Sequence, residues 1–378
     1  AAAAVGHPFG AAGGFGGAAP SQRPAAVSPS ASSAGGAWAA RGPAIGSFFE
    51  CRLDSAHDLA NLLSALQLRE KDAKDQRVHC EARAQGLKFI AQSGAKDVAV
   101  VGWMMATSFK EYRFVGEHED LHLRLPVAPL LHCLQIFSDR AGLSLRYPVG
   151  EAAELHFTME EDGAVSECSI RTLVLEEAPA IFGSFFGPGD VMSVLRPVQP
   201  EFWHNALMEF AELDAPDAVL RLTLRAPGPC SEANYPAVVL RSQTLTSDAE
   251  VELPRSVFED LELAPRVVAA GEVTHHYPLT SILASCLRAS KDCKGVKIRI
   301  NAEGVMSCQF ILRSRGQKDL FCEALISPMA DFAGAPTMGA GRLVPPTAPA
   351  STAATQPGTM PGGLLGGLRG LGNESTGF

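Results

Sequence analysis

Apolar residues recur three and four positions apart in four segments of the chain, a pattern that predicts amphipathic helices. The predicted helices cover residues 54–69, 126–137, 200–213 and 278–290. The apolar stripe of the first helix consists of Leu59, Leu62, Leu63 and Leu66, and Asp54 is placed to cap its N-terminus. The other three helices begin with proline, which suits a first helical turn.

Short apolar or alternating segments around these helices indicate β-strands. Residues 121–125 alternate leucine with His122 and Arg124, as in a strand with one buried face. Asp162-Gly163 and Glu303-Gly304 are typical of hairpin turns. The predicted strands cover residues 46–53, 77–82, 87–91, 109–114, 121–125, 143–147, 154–159 and 164–170, and then 219–224, 238–241, 249–253, 267–273, 296–300, 305–312 and 320–326.

The order strand, helix, several strands, helix, three strands occurs twice along the chain. The helices recur at a period of about 150 residues, since Leu59 precedes Trp203 by 144 positions and Leu130 precedes Ile282 by 152. We therefore predict an α+β protein with two duplicated domains, each with two helices packed on antiparallel sheet. The predicted boundaries are a first domain at 45–171, a connector at 172–190 and a second domain at 191–328.

The two ends of the chain differ in composition from this body. Residues 1–44 contain 16 alanines, 9 glycines and 5 prolines, and the C-terminal end is again rich in glycine, proline, alanine and threonine. Such segments bury too little apolar surface to offset their chain entropy. We predict disordered tails at 1–44 and 329–378. A transit peptide in the first tail is the less favoured interpretation, because arginine is sparse there.

The charge and the cysteine content of the chain exclude some classes of function. The formal net charge is −9, and the body between the tails carries −11, which excludes a protein that coats nucleic acid with its whole surface. No apolar run approaches the ~20 residues of a membrane-spanning helix, so we expect no membrane contact. The nine cysteines form no C-x-x-C pair, and Cys133 and Cys286 lie on apolar helix stripes. We expect reduced cysteines, a cytosolic or nuclear location, and no metal or other cofactor.

Three motifs suggest chemistry, and each has a simpler interpretation. His118-Glu119-Asp120-Leu121-His122 matches H-E-x-x-H, but that zinc motif needs a helix, and here its second histidine begins a strand. Glu160-Glu161-Asp162 has the carboxylates of a magnesium site, but the following Gly163 makes it a charged hairpin tip. His275-His276 ends a strand. We expect no catalytic residues.

Basic residues gather after the first and the fourth predicted helix, at corresponding ends of the two halves. They are Arg69, Lys71, Lys74 and Arg77, and then Arg288, Lys291, Lys294 and Lys297. Two interpretations stay open at this point. The residues form a pair of phosphate-contacting patches, or they stabilise the C-terminal ends of the helices.

The arrangement resembles DNA sliding clamps of the PCNA type, and more narrowly the Rad-one subunits of the nine-one-one checkpoint clamp. The resemblance covers about residues 46–328 and neither tail. The residues that carry it are FECRLD (49–54) running into Leu59 to Leu66 and Arg69-Glu70, GLKF (86–89), FKEYRF (109–114), LLHCLQIF (130–137), Glu161-Asp162-Gly163 with Cys168, and FAELD (210–214).

The resemblance implies a ring subunit without enzymatic activity. In such clamps six domains close into a ring whose helices line a channel around duplex DNA. It implies a heterotrimer with two other clamp-like subunits, an ATP-dependent loader, recruitment of checkpoint and repair proteins, and a nuclear location. The implied DNA-facing residues are Arg69, Lys71, Lys74, Arg288, Lys291 and Lys294.

Two further surfaces follow from the resemblance. Edge strands join neighbouring clamp subunits, and by order along the family's fold these are 164–170 and 249–253, with Val165, Cys168, Ile170, Val251 and Leu253 at the interface. The connector borders a partner pocket in related clamps, which implies a docking role for Leu173, Leu175, Ile181 and Phe182. The alternative is that these side chains only pack the connector onto the sheet.

One feature departs from a clamp channel, which should be basic. The third predicted helix carries Glu201, Glu209 and Glu212, with His204 as its one basic group. We expect weak DNA contact by this helix. Two alternative functions stay open, a metal-dependent 3′–5′ DNA exonuclease that uses residues 160–162, and a homotrimeric replicative clamp.

Overall fold

The computed structural model describes residues 48–68, 76–116, 120–136, 140–148, 153–175, 190–213, 217–227, 235–315 and 318–329. The predicted tails lie outside these residues, apart from Met329. The first half consists of β1 (Phe48–Leu53), α1 (Ala56–Ala65), β2 (Arg77–Arg83), β3 (Gly86–Gln92), β4 (Val98–Met105), β5 (Glu111–Val115), β6 (Leu121–Pro126), α2 (Val127–Leu134), β7 (Gly142–Tyr147), β8 (Glu154–Glu161) and β9 (Ala164–Arg171).

The connector begins with β10 (Leu173–Leu175), and the second half repeats the order of the first. It consists of β11 (Val191–Pro197), α3 (Pro200–Ala211), β12 (Val219–Arg225), β13 (Pro236–Gln243), β14 (Asp248–Pro254), β15 (Phe258–Leu263), α4 (Pro265–Ala270), β16 (Glu272–Pro278), α5 (Leu279–Lys291), β17 (Cys293–Asn301), β18 (Met306–Leu312) and β19 (Leu320–Ile326). Among the described residues, no helix is both long and apolar enough to cross a lipid bilayer.

Sheet topology shows the duplication directly. The first half has a five-stranded sheet in the order β5-β1-β7-β8-β9, and the second half contains the equivalent order β15-β11-β17-β18-β19. Likewise β6-β2-β3-β4 in the first half corresponds to β16-β12-β13-β14 in the second. The α+β fold with two duplicated halves is confirmed.

The two halves join by strand pairing. β4 and β19 pair antiparallel, with Val100 opposite Ala324 and Val98 opposite Ile326, and this pairing merges strands of both halves into one ten-stranded sheet. Most paired residues of the junction are apolar and buried; Glu323 is its one charged residue, and Trp103 and Phe321 are half-buried. The junction therefore has the character of a continuous core and not of a hinge.

The helices cover the sheets with their apolar faces. α1 packs against α2 and α5, and α3 packs against α5, so the four longer helices form the series α2–α1–α5–α3. Leu62 and Leu63 of α1 and Trp203 and Phe210 of α3 are fully buried. Burial of each such side chain contributes roughly 1.5–3 kcal/mol before losses of chain entropy.

Several predicted elements differ from the structure. Ser55, not Asp54, caps α1, because its hydroxyl accepts the backbone N–H of His57. Residues 267–270 are helical and not a strand, since Pro265 starts the short helix α4 and Gly271, at φ +82°, ends it before β16 begins at Glu272. No predicted strand range covers β4, β10, β11 or β15.

The predicted hairpin turns are present. Asp162 and Gly163 both have positive φ, at 49° and 80°, as the tight β8–β9 turn requires. Gly304 also has positive φ, at 83°, in the β17–β18 connection. The cysteines within the described residues are free, with Cys286 buried and Cys133 half-buried.

Candidate nucleic-acid interface and sheet edges

The end of α5 presents two exposed cations. Arg288 and Lys291 lie in its last turn, and both side chains are exposed. Lys294, predicted with them, lies instead on β17, and its Nζ is 2.6 Å from Asp319 Oδ1. Its charge is therefore already neutralised. Arg288 and Lys291 also complement the negative end of the helix dipole, so the geometry is compatible with both interpretations of the basic patch.

Of the corresponding basic patch after α1, the structure describes Arg77. Arg69, Lys71 and Lys74 lie outside the described residues. The Arg288 guanidinium donates a hydrogen bond to the side-chain carbonyl of Gln67, which directly follows the end of α1. This contact brings the ends of α1 and α5 together.

The helix α3 is acidic on its exposed face. Glu201, Glu209 and Glu212 are exposed, and so are the large apolar side chains of Phe202 and Met208. No ion pair of Glu209 or Glu212 occurs among the described residues. Weak DNA contact by this helix stays a prediction, and its physical reason is that carboxylates repel phosphates.

His204, the one basic group on α3, does not offset this charge. Its Nδ1 lies 3.0 Å from Ser290 Oγ on α5. Burial, and then the charge of Lys291, lower the pKa of His204 below its usual value. The imidazole is therefore neutral at pH 7 and serves to hold α3 against α5.

The two strands predicted as subunit edges are sheet edges in the structure. Among the strands that the structure describes, β9 is hydrogen-bonded only to β8, and β14 only to β13, so each forms the edge of its sheet. Val165 is 58% exposed, and Cys168 and Val251 are half-buried. Ile170 and Leu253 are buried by their own halves, so these two residues offer backbone groups and little side-chain surface.

The outer face of β14 is lined by carboxylates that have arginine partners in the same sheet. Asp248 and Glu250 lie 2.8 and 3.5 Å from the Arg241 guanidinium, and Glu252 lies 3.9 Å from that of Arg225. On β9, Arg171 contacts Glu154 at 3.4 Å. Charges of this kind blunt an edge strand against unspecific pairing.

The connector adds a strand to the first half. Leu173, Val174 and Leu175 form β10, which pairs antiparallel with β6, so that Leu173 lies opposite Arg124 and Leu175 opposite His122. Thr172 fixes the entry to this strand through a 2.9 Å hydrogen bond from Oγ1 to the Ala153 carbonyl. Ile181 and Phe182 lie outside the described residues, and the docking role of the connector stays a prediction.

The H-E-x-x-H segment does not form a helical metal site. His118 and Glu119 lie outside the described residues, and His122 lies on the strand β6. Its Nδ1 is 3.2 Å from Nε2 of His79 on β2, and the two rings stack. The pKa of His79 is lowered to about 4, by burial first and then by His122.

Glu81, Asp120 and His122 nevertheless bring ligand atoms within 4.8 Å of one another. Arg83 contacts both carboxylates, at 2.6 Å for Asp120, and Lys88 Nζ is 3.2 Å from Glu81. Two cations therefore already neutralise the donors that a metal would need. The group is a structural charge cluster across β2, β3 and β6. Sequence reasoning missed it because only the β2–β6 register places Glu81 opposite His122.

The acidic triplet lies where a hairpin tip is expected. Glu160 and Glu161 are the last residues of β8, opposite Val165 and Ala164 of β9, and Asp162 is in the turn. Asp162 is exposed to solvent. Within the described part of the chain, no metal-ligating cluster includes any of the three residues.

Comparisons with known proteins identify the fold. A PCNA2–PCNA3 complex from Sulfolobus tokodaii has a chain that matches with a TM-score of 0.56 at 11% identity, over 74% of this chain and 98% of that one. PCNA from Thermococcus kodakaraensis matches with a TM-score of 0.55 at 14% identity, over 74% of this chain and all (100%) of that one. No curated protein matches significantly in sequence.

A family profile assigns the sequence more narrowly. The profile described as repair protein Rad1/Rec1/Rad17 matches residues 48–312, which span both halves and the connector. The match includes the residues on which the resemblance to checkpoint-clamp subunits depends, from the first strand through α5 to β18. The chain therefore belongs to the Rad1 family of repair proteins and has the fold of a PCNA-type clamp.

Proposed function

We propose that this chain is one of three different subunits of a heterotrimeric DNA-damage checkpoint clamp. The ring encircles double-stranded DNA, is placed on it by an ATP-dependent clamp loader, and recruits checkpoint signalling and repair proteins. It acts in the nucleus. The chain itself contributes no catalysis, and the family and the fold support this assignment.

The strand pairing between the two halves is the observation that supports the proposal most directly. Within the chain, β19 of the second half pairs with β4 of the first half. By the duplicated strand order, β9 is the equivalent of β19, and β14 is the equivalent of β4. Neither has a second strand partner in the described part of the chain. The pairing that joins the two halves can therefore repeat at each end of the chain, which extends the assembly by strand addition.

The edge strands β9 and β14 differ in charge from the strands β4 and β19 that join the two halves. This difference favours distinct partners over copies of the same chain. Strands β4 and β19 bury apolar side chains on both faces. By contrast, β14 carries Asp248, Glu250 and Glu252 on one face, and β9 carries Glu167 on its exposed face. A homotrimer would place like charges along one pair of strands, which disfavours it.

The proposed DNA path follows the ends of α1 and α5. Arg288 and Lys291 are the described cations of this region, and the path runs away from the acidic α3. A ring needs no tight contact, because encirclement retains it on DNA while a weak basic lining lets it slide. Partner subunits then supply more of the positive charge.

Co-expression with two other clamp-like proteins of the same organism tests the proposal. We expect the isolated chain to be monomeric by light scattering and the three proteins to purify as a one-to-one-to-one complex. Val165→Arg should weaken the complex, whereas Val268→Arg, at an exposed valine of α4, should not. A stable homotrimer of the isolated chain, or a complex indifferent to Val165→Arg, would argue against it.

A nuclease assay separates the proposal from the exonuclease alternative. Purified full-length chain is incubated with magnesium and 3′-ended DNA, next to the double variant Glu161→Gln, Asp162→Asn. Asparagine tolerates the positive φ of residue 162, so the hairpin is kept. We expect equal, background digestion from both proteins. Digestion by the parent chain that the variant lacks would establish the alternative.

A further inference from the structure

Two cysteines of the first half are both accessible to solvent and in contact with each other. Cys133 lies in the last turn of α2 and Cys168 lies on β9, and both are half-buried. Every other cysteine that the structure describes is fully buried. The thiols of Cys133 and Cys168 are joined by a hydrogen bond. Among the described cysteines, this pair is therefore the one that a reagent in water can reach.

The fold holds both sulfurs on the inner face of the five-stranded sheet. Cys168 lies opposite Phe157 of β8, and opposite residues of an antiparallel pair point to the same face. Phe157 is fully buried, whereas Glu167 and Ser169, the neighbours of Cys168, are exposed on the outer face. Cys133 packs from α2 against the same apolar core as Cys168. The contact between the thiols is therefore set by a helix and a strand.

Exposure separates this pair from a second pair of thiols in the core. Cys286 of α5 and Cys308 of β18 are also hydrogen-bonded through their thiols, but both are fully buried. An oxidant reaches such cysteines only when the structure opens, because oxidation follows the exposure and the ionisation of a thiol. Burial, and then the hydrogen bond to Cys168, raise the pKa of Cys133, so we expect its oxidation to be slow at pH 7.

We propose that Cys133 and Cys168 form a redox-sensitive dithiol, which closes to a disulfide between α2 and β9 when the free chain meets a peroxide. The thiolate of one cysteine attacks a peroxide oxygen, the O–O bond breaks, and a sulfenic acid and a water form. The second sulfur attacks the sulfenic sulfur, the S–S bond forms, and the hydroxyl leaves as water with the remaining thiol proton. Two electrons pass from the sulfurs to the peroxide, and a dithiol reductant restores both thiols.

The position of Cys168 on β9 links the dithiol to assembly, and this step rests on the proposed function. A partner strand added to β9 places its own side chains beside Cys168 on the same face of the sheet. The pair is then accessible in the free chain and shielded in the assembled ring. Oxidation of the dithiol therefore marks the subunit that has no partner on β9.

Peptide mapping of the full-length chain tests the inference. The reduced chain is treated with hydrogen peroxide under native conditions and then alkylated in denaturant, and linked peptides are identified by mass spectrometry. We expect a disulfide between Cys133 and Cys168 that disappears after treatment with dithiothreitol, whereas Cys286 and Cys308 stay reduced. Cys230 lies outside the described residues, so Cys230→Ser is the control, and it should leave the disulfide unchanged.

Two single variants distinguish a dithiol from one reactive thiol. Cys133→Ser and Cys168→Ser should each abolish the disulfide. Each should also abolish binding of phenylarsine oxide, which bridges two neighbouring thiols with loss of water, whereas the parent chain binds it. The proposal is wrong if the parent chain forms no linkage between residues 133 and 168, or if Cys286 and Cys308 become linked at the same rate.

The shielding step has a separate test in the complex with the two other clamp-like proteins, once light scattering has shown that the complex forms. The disulfide should then form about tenfold more slowly than in the free chain, because exposure controls thiol oxidation. An equal rate in the complex would contradict shielding through β9. Failure of the complex to form would count against the proposed function, while the dithiol is decided by the free chain alone.

Discussion

Asp58 and Ser314 join the two halves by a hydrogen bond that is largely shielded from water. The Ser314 hydroxyl donates to Asp58 Oδ2 at 2.6 Å, and the Arg315 backbone N–H donates to Oδ1 at 2.9 Å. Asp58 lies on α1 of the first half and is 7% exposed, whereas Ser314 follows β18 of the second half. The nearby Asn61 amide donates to the Arg313 carbonyl at 2.9 Å. The β18–β19 loop is thus fastened to α1.

We expect Asp58→Ala to destabilise the chain by about 1–3 kcal/mol, because both donors lose a buried, charged acceptor. The measurement is the free energy of unfolding in urea. Asp54→Ala is the matched control, since Asp54 is exposed and its ion pair among the described residues is a 3.5 Å contact with Lys110. The control should change stability by less than about 0.5 kcal/mol. Equal effects of the two substitutions would show that this link contributes nothing specific.

Helix α1 approaches β4 closely at Gly102, and this contact gives a second prediction. A Cβ added at Gly102 would lie 2.8 Å from Cδ1 of the fully buried Leu62. Gly102→Ala should therefore cost roughly 1–3 kcal/mol through overpacking. Thermal unfolding provides the comparison with Gly94→Ala, where a Cβ meets nothing within 4 Å. Gly94→Ala should be neutral or slightly stabilising, and a loss of stability as large as that of Gly102→Ala would contradict this reading.

Buried histidines should make stability depend on pH between about 6.5 and 4. The pKa of His79 is lowered to about 4 by burial and by His122, and the pKa of His275 is lowered to about 4 by burial and by His276. The unfolded chain binds protons at these sites more readily, so stability is full above pH 6.5 and falls as pH drops toward 4. The free energy of unfolding in urea, measured at several pH values across this range, should decrease as the pH is lowered.

His79→Gln should make the fall of the unfolding free energy with pH less steep, since one of the histidines with a strongly lowered pKa is then gone. His132→Gln is the control, because His132 of α2 is exposed. The reading fails if His79→Gln leaves the pH dependence of the unfolding free energy as steep as in the parent chain. The comparison uses slopes and not absolute stabilities, so a uniform loss of stability in the variant does not affect it.

The proposed DNA path predicts unequal effects of three cations. In the assembled complex, Arg288→Gln and Lys291→Gln should each lower the dependence of DNA affinity on salt by about 0.9 in the log–log slope, as for one lost phosphate contact. Lys294→Gln should change it less, because Lys294 is paired with Asp319. A larger effect of Lys294→Gln than of Lys291→Gln would place the DNA elsewhere.

The local pattern of apolar and polar residues was sufficient to predict much of this fold. The four longer helices were predicted because each has a wide apolar face, as in the stripe from Leu59 to Leu66, and the duplication followed from their spacing. β4 was missed because residues 98–102 of its sequence VAVVGWMM are all buried, so no alternation marks it as a strand. The residues 267–273 were assigned to a strand because Val267 and Val268 favour one, while Pro265 and Gly271 enforce a helical turn.

The parts that could not be predicted depend on pairing between distant segments. Strand register brings together the β4–β19 junction and the charge cluster of Glu81, Asp120 and Arg83. The Asp58–Ser314 link depends on the packing of α1 beside the β18–β19 loop. The acidic character of α3 was visible in sequence, but the exposure of Phe202 and Met208 was not, since both also fit a buried stripe.

Hydrogen exchange on the backbone of the edge strands tests the ring most directly. Amide exchange is measured in the isolated chain and again in the complex with the two other clamp-like proteins. We expect slower exchange in β9 and β14 on assembly, and unchanged exchange in β5 and β16, which are the opposite edges of the same two sheets. Unchanged exchange in β9 and β14, or protection at β5 and β16 instead, would contradict assembly through these strands.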